Sequence, residues 1–136
     1  SKRYHHMNEF ERMLVDEGTV ILKFYLNIDP KEQAGRFLAR LEEPDKHWKF
    51  NPGDLEDRKL WDQYMEAYED MLNKTSTKWA PWYVIPSNKK WYRNLLIATI
   101  VRDTLVNMKM EYPAPAPDLD NYRQQVLEIL DSYKEE

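Results

Sequence analysis

Two short apolar runs constrain the fold of this chain more than any other feature. Residues 19–28 are almost continuously apolar, and residues 82–85 form a second, shorter run. A strand that is apolar on both faces is typical of a parallel sheet with both sides covered. The residues between the two runs have helical patterns, and a helical connection fits a right-handed crossover between parallel strands. We therefore predict two buried parallel strands in an α/β fold.

The segment that follows the first run is a strong helix start. Asp29 suits the capping position, Pro30 the first helical position, and Glu32 the reciprocal position of a capping box. This predicts a helix over residues 30–43. Lys23 interrupts the apolar run, and we interpret it as a side chain that extends from the sheet edge or mouth to water.

The remaining patterns predict further helices over residues 4–17, 52–74, 86–110 and 118–136. In the second of these, Asn51 is the expected cap, and an aromatic-rich stripe favours a core role over a base-stacking platform; its members are Trp61, Tyr64, Met65, Tyr68 and Leu72. Apolar residues surround most of helix 86–110, so we expect it to be well buried. The proline-rich residues 113–117 predict a stiff linker.

A basic segment joins the second and third predicted helices. Arg36 and Arg40 are four residues apart and share a helix face, and a turn with Lys46, Trp48 and Lys49 follows. Four cations that converge on one corner would suit a chain of phosphates, which accepts forked hydrogen bonds from guanidinium groups. The alternative is a solvated hairpin, because most charge runs are solvated faces.

Three more cations stand at the start of helix 86–110, and we call them the helix-start cations: Lys89, Lys90 and Arg93. The helix dipole disfavours positive charge at this end. A bound anion would offset that cost. Simple solvation of three long side chains is the alternative, and the residues alone leave both open.

Composition bounds the functional classes. The length of 136 residues allows one domain with a core, and 42% hydrophobic and 32% charged residues are typical of soluble globular proteins. The net charge of −4 does not indicate a nucleic-acid protein, so an anion site must be a local patch. The absence of cysteine excludes disulfides and thiol catalysis and fits a reducing compartment, so we expect a cytoplasmic location.

Neither membrane nor metal binding is indicated. No apolar run approaches the ~20 residues of a membrane span. The first six residues lack the apolar core of a signal peptide, and we interpret them as the interior of a longer chain. His5 and His6 are adjacent, so on a helix they point in different directions and make a poor metal pair.

The basic segment resembles the lid of the polyphosphate kinase 2 family. That family has R-F-x-x-R, an acidic-Pro step, K-x-W-K and then N- or S-P-x-D-L-E, which match Arg36 to Arg40, Glu43-Pro44, Lys46 to Lys49 and the helix start at Asn51. The resemblance covers roughly residues 2–112. Its other parts are F-E-R-M-L at 10–14, G-T-V-I-L-K-F at 18–24, T-S-T at 75–77, A-P-W-Y-V-I at 80–85 and K-K-W-Y-R-N at 89–94.

The resemblance implies a function and a fold. The expected activity is phosphoryl transfer between inorganic polyphosphate and a nucleotide, which would be ADP, AMP or GDP. The expected fold is the C-terminal part of a P-loop-kinase-like parallel sheet with an inserted helical lid, predominantly helical in this chain. Residues 1–112 would be the C-terminal half of the kinase-like domain, with the lid at about 30–74, and the helix 118–136 would follow the linker. The basic segment and the helix-start cations would then be polyphosphate clamps.

One part of the family pattern is absent. The family has a glycine-rich G-x-D-x-x-G-K phosphate loop and an acidic magnesium site, whereas this sequence has three widely spaced glycines, Gly18, Gly35 and Gly53. We therefore name no catalytic residue and no metal ligand, and we expect Mg²⁺ to be held outside this chain. We also expect the chain to be inactive by itself, and to associate as a homo-oligomer or with the missing N-terminal half.

Two other functions fit the residues without the resemblance. A non-catalytic helical interaction module would use the aromatic stripes and the last helix. A nucleic-acid-binding module would use the basic segment with Trp48 as a stacking residue, and its affinity would fall steeply with salt.

Overall fold

The computed structural model describes residues 2–133, which contain six α-helices, one 3-10 helix and two strands. The elements in order are α1 (Lys2–Asp16), β1 (Lys23–Asn27), α2 (Pro30–Glu42), the 3-10 helix (Pro44–Lys49), α3 (Gly53–Arg58), α4 (Trp61–Thr75), β2 (Trp82–Pro86), α5 (Lys90–Asn107) and α6 (Leu119–Ser132). The chain divides into two compact units, the first ending at Asp103 and the second beginning at Thr104.

The two strands pair in parallel, which confirms the predicted order. Lys23 lies opposite Trp82, and the register continues to Asn27 opposite Pro86. β1 is shorter than the predicted run because β2 offers only five residues for pairing. Residues 19–22 therefore lie outside the strand. The connection between the strands consists of α2, the 3-10 helix, α3 and α4.

The buried apolar core is small. Among residues 2–133 it consists of Phe37, Ala80 and Ile85. The prediction that both faces of the first strand are covered is wrong for this structure, because Leu26 is half exposed. The burial predicted for the long helix is also wrong, since α5 has no buried residue within the described part of the chain. A sheet of two strands offers too little surface to cover the helices that flank it.

The predicted start of α2 is confirmed, although its capping box is incomplete. The Asp29 carboxylate accepts a hydrogen bond from the Glu32 backbone N–H at 2.7 Å, and Pro30 is the first helical residue. Glu32 does not return the bond. Its carboxylate instead accepts from Arg36 at 2.8 Å, and the Asp29 N–H donates to Asn88 Oδ1 at 3.1 Å. The reciprocal bond of the box is thus replaced by one pair within α2 and one long-range bond to Asn88.

The helix predicted over residues 52–74 is interrupted. α3 ends at Arg58, and α4 begins at Trp61. At the break, the Lys59 and Leu60 N–H groups donate to the carbonyls of Glu56 and Asp57, each at 3.0 Å. These three-residue steps tighten the chain as a 3-10 turn does. The break places the end of α3 beside the start of α4.

Lys23 is buried rather than directed to water, which corrects the interpretation above. Its side chain is 9% exposed, and its Nζ donates to Glu11 Oε2 at 2.7 Å and to the Thr75 carbonyl at 2.6 Å. The same Nζ lies 5.2 Å from the centre of the Trp82 ring. One cation therefore joins α1, both strands and the end of α4.

The second unit contains the end of α5, the proline-rich segment and α6. Residues 113–116 are outside helix and strand, and Asp118 precedes α6 in the left-handed conformation with φ 65°. The predicted last helix is observed through Ser132, while its final residues 134–136 lie outside the described part. None of the helices that the structure describes has both the length and the apolar character that crossing a bilayer requires.

Candidate functional site

The carboxyl ends of the two strands meet at one edge of the sheet, and hydrogen bonds join the segments that leave them. The Ser87 N–H donates to the Asn27 carbonyl at 2.7 Å. Asp29 and Asn88 are linked twice, through the Asp29 N–H at 3.1 Å and from Asn88 Nδ2 to Asp29 Oδ2 at 2.6 Å. This edge is where open parallel α/β sheets bind ligands.

Arg36 ties α2 to this edge. Its Nη2 donates to the Ser87 carbonyl at 2.6 Å, while its Nε donates to Glu32 at 2.8 Å. Ser87 is 1% exposed, so its carbonyl depends on this protein donor more than on water. Arg36 therefore has a structural role at the sheet edge in addition to the predicted role in binding anions.

Arg40 lies one turn further along α2 and points to α3. Its Nη1 donates to Asp54 Oδ2 at 3.0 Å, and its guanidinium lies 5.4 Å from the centre of the Phe37 ring. This ion pair joins α2 to α3 across the intervening 3-10 helix. Arg36 and Arg40 are thus brought to one side of α2, as their spacing predicts.

A groove of about 450 Å³ contains both arginines and a third, Arg58, that the sequence analysis missed. We call it the arginine groove; its lining includes Gln33, Arg36, Arg40, Asp54, Asp57 and Arg58, with Ile28, Phe37, Trp61, Tyr64, Met65 and Tyr68. Arg58 donates to Gln33 Oε1 at 2.5 Å and lies 5.7 Å from the Trp61 ring centre. Its position three residues before Trp61 is the sequence signal that could have indicated this role.

A second groove, of about 540 Å³, lies along the carboxyl edge and is called the edge groove. It is lined by Asn27, Asp29, Pro30, Pro86, Ser87, Asn88, Lys89 and Tyr92, and it shares Ile28, Trp61 and Met65 with the arginine groove. The core role predicted for the aromatic stripe is therefore wrong. Four of its five residues form groove walls, and none of the five is buried.

The predicted corner of four cations does not form in this structure. Lys46 pairs with Glu43, and the Lys49 Nζ lies 5.0 Å from the Trp48 ring centre. These residues line neither the arginine groove nor the edge groove. Trp48 is 80% exposed, so the 3-10 helix presents a basic and aromatic surface to solvent.

The helix-start cations are not gathered into one site either. Lys89 lines the edge groove, whereas Lys90 and Arg93 do not. Arg93 donates to the Asn94 side chain at 3.1 and 2.8 Å. Both lysines are exposed. The choice between an anion site and simple solvation therefore stays open at the start of α5.

Two of the carboxylates that line the grooves, Asp29 and Asp54, have defined polar partners. The backbone N–H of Glu32 and then the Asn88 amide lower the pKa of Asp29 from its ordinary value. Asp54 is paired with Arg40. In the described range 2–133, no group of three or more His, Cys, Asp or Glu side chains is arranged to hold a metal ion. The arginine side chains of the arginine groove can donate charge-assisted hydrogen bonds to an anion.

Comparison with known proteins relates this chain to polyphosphate phosphotransferases. A family model described as polyphosphate kinase 2 matches residues 1–113. The AMP/ADP-polyphosphate phosphotransferase of Meiothermus ruber is 60% identical over 114 residues, which are 84% of this chain and 43% of that protein. The ADP-polyphosphate phosphotransferase of Rhodopseudomonas palustris is 42% identical over 130 residues, 93% of this chain and 45% of that protein.

A solved structure of the same family is also similar to this chain. The crystal structure of polyphosphate kinase 2 from Arthrobacter aurescens TC1 superposes with a TM-score of 0.84 at 43% identity, covering 93% of this chain and 46% of that one. The chain thus spans less than half the length of these three proteins. The family match covers residues 1–113, and the structural match covers 93% of the chain. The chain belongs to the polyphosphate kinase 2 family.

Proposed function

We propose that this chain acts in phosphoryl transfer between inorganic polyphosphate and a nucleotide. Its part is to supply the lid, at about residues 30–74, and the last strands of a P-loop-kinase-like sheet. The arginine groove beside the carboxyl edge of the strands is the observation that carries the proposal. The names of similar proteins, which are polyphosphate phosphotransferases for AMP, ADP or nucleoside diphosphates, support it.

The chemistry of arginine explains why such a groove suits polyphosphate. A guanidinium group is planar, stays charged and offers several N–H donors to the oxygens of one phosphate. A polyphosphate chain carries about one charge per phosphate, so arginines placed along a groove can bind successive units. The aromatic and apolar walls lower the local polarity, and each charge-assisted hydrogen bond is stronger there than in water.

The groove residues would position the phosphate chain rather than react with it. Phosphoryl transfer needs mainly charge neutralisation and in-line alignment. Closure of the lid would also exclude water. Lys46, Lys49 and Trp48 at the 3-10 helix would extend the contact along the chain of phosphates. Lys89, Lys90 and Arg93 would receive phosphates at the sheet edge.

The remaining parts of the reaction are assigned outside this chain. Mg²⁺ would supply charge neutralisation for the transferring phosphoryl group, and we propose that its ligands lie outside this chain. We name no catalytic residue in this chain. We propose that the chain works with an N-terminal half that carries the glycine-rich loop, or as a homo-oligomer, in the reducing cytoplasm. The acceptor is AMP, ADP or another nucleoside diphosphate such as GDP.

A binding experiment separates this proposal from its two rivals. The 136-residue chain is titrated by calorimetry with polyphosphate, with single-stranded DNA of matched charge and with buffer, all at low salt. We expect saturable binding of polyphosphate and much weaker binding of DNA. Equal or tighter binding of DNA would favour a nucleic-acid module built on Trp48 and its lysines. Binding of neither would favour a helical interaction module.

A further inference from the structure

Three arginines line the arginine groove, and their partners differ in charge. Arg36 is paired with Glu32, and Arg40 is paired with Asp54. Arg58 is held by a neutral group, the side-chain oxygen of Gln33, at 2.5 Å. Within the described part of the chain no carboxylate forms an ion pair with Arg58, although Asp57 also lines the groove. The positive charge of Arg58 is therefore not neutralised by a partner.

The partners determine what each arginine loses when a phosphate arrives. Arg40 must share or leave the Asp54 carboxylate. Arg36 must share or leave both Glu32 and the carbonyl of Ser87, and a buried acceptor that loses its donor is costly. Arg58 has to exchange only one neutral amide oxygen for a charged phosphate oxygen, and such charge-assisted bonds are the stronger kind.

The surroundings of Arg58 also hold it in place. Gln33 on α2 fixes one edge of the guanidinium, and Trp61 at the start of α4 lies 5.7 Å below it. The interruption of the helix between α3 and α4 creates this position, because it brings Arg58 and Trp61 together across the turn at Lys59–Leu60. Trp61 is shared by both grooves, so Arg58 lies in the arginine groove beside the wall that separates it from the edge groove.

We infer that Arg58 is the principal phosphate-binding side chain of the arginine groove, and that Gln33 keeps it available by holding it without neutralising it. The ligand is a segment of the inorganic polyphosphate chain. The inference rests on the proposed function. It reverses the order of importance that the sequence pattern indicates, since Arg36 and Arg40 become supporting cations whose first partners are internal.

The test compares three single variants of the 136-residue chain, with polyphosphate as the titrant. Arg58→Gln is expected to raise the Kd by roughly tenfold or more, because a charge-assisted contact is lost. Lys59→Gln is the matched control: it removes the same charge one residue away, from an exposed lysine that pairs with Glu56 outside both grooves. Its Kd is expected to change by less than about twofold, as is typical of exposed pairs.

Gln33→Glu tests the same idea without removing the arginine. The substitution puts a carboxylate in place of the amide whose oxygen lies 2.5 Å from Arg58, and so gives Arg58 an internal ion pair. The Kd for polyphosphate is therefore expected to rise several-fold. Circular dichroism checks that each variant keeps the helical content of the parent chain. If Arg58→Gln unfolds the chain, Gln33→Glu decides the question, since it keeps all three arginines of the groove.

The outcomes separate the two proposals. Failure of the parent chain to bind polyphosphate would overturn the proposed function, and this assignment with it. Binding by the parent that Arg58→Gln weakens no more than Lys59→Gln does would overturn the role of Arg58 alone. A parallel titration with ADP distinguishes the source of the phosphate. Loss of ADP affinity with unchanged polyphosphate affinity would assign Arg58 to the nucleotide and contradict the inference.

Discussion

Lys23 offers the sharpest test of how the helical connection between the strands is attached to the sheet. The ammonium group is 9% exposed and has two oxygen partners, the Glu11 carboxylate at 2.7 Å and the Thr75 carbonyl at 2.6 Å. Thr75 is the last residue of α4, where the helical connection ends before β2. Replacing Lys23 with Met keeps an unbranched side chain, one atom shorter, and removes the charge and its donors.

The structure sets the expected size of the effect. Breaking a buried ion pair by removing one partner typically costs about 3–5 kcal/mol, because the other charge is left without a partner. Glu11 is 16% exposed and can recover some hydration, so we place the loss in the free energy of unfolding near the lower end, at about 3 kcal/mol. Adding Glu11→Leu to Lys23→Met should recover part of this loss, because no unpaired charge then remains.

Urea unfolding of the 136-residue chain, followed by circular dichroism at neutral pH, measures the effect. Lys59→Met is the control, since Lys59 and Glu56 form an exposed pair whose contribution is about 0–1 kcal/mol. A loss for Lys23→Met no larger than that of the control would refute the idea that this buried cation joins the helical connection to the sheet. The same conclusion would follow if the double variant were less stable than Lys23→Met.

Other predictions concern the cap of α2, the paired arginines, the helix-start cations and turnover. The lowered pKa of Asp29 means that its ionised form stabilises the fold above the ordinary carboxyl pKa and that this stabilisation is lost as the pH falls through the lowered value. Asp29→Asn keeps a capping oxygen, so its melting temperature should fall less steeply with acid than that of the parent. Arg36→Ala with Arg40→Ala should weaken polyphosphate binding by about 1–3 kcal/mol in calorimetry, and should also lower the melting temperature because the Ser87 carbonyl loses its donor. Replacing all three helix-start cations with Gln should weaken polyphosphate binding, whereas higher thermal stability with unchanged affinity would show a solvated cluster. The 136-residue chain with Mg²⁺, polyphosphate and ADP or AMP should form no ATP or ADP above a heat-killed control; product formation by material of the correct intact mass would contradict this.

Sequence signals predicted the structural features that depend on residues close together in the chain. The Asp29-Pro30 start of α2, the two strands and their parallel order followed from capping chemistry, apolar runs and the helical connection. The i, i+4 spacing of Arg36 and Arg40 placed both on one side of α2. These features depend on residues close in sequence, so they can be predicted from sequence.

Contacts distant in sequence explain what could not be predicted. Lys23 is buried because Thr75 and Trp82, more than fifty residues later, surround it. The break after Arg58 has no glycine or proline to mark it. The turn at Lys59–Leu60 nevertheless creates the arginine groove. Burial of α5 was expected from its apolar circumference, but pattern alone does not reveal how much surface the neighbouring strands can cover.

The central claim is that the arginine groove binds polyphosphate, and the arginine side chains can report it directly. In an NMR titration of the ¹⁵N-labelled chain with polyphosphate, the Nε–H signals of Arg36, Arg40 and Arg58 should shift together and reach saturation. Arg102, which is exposed and pairs with Asp103, serves as the internal control and should stay unchanged. Shifts of equal size at Arg102, or none at the three groove arginines under conditions where polyphosphate is bound, would contradict the claim.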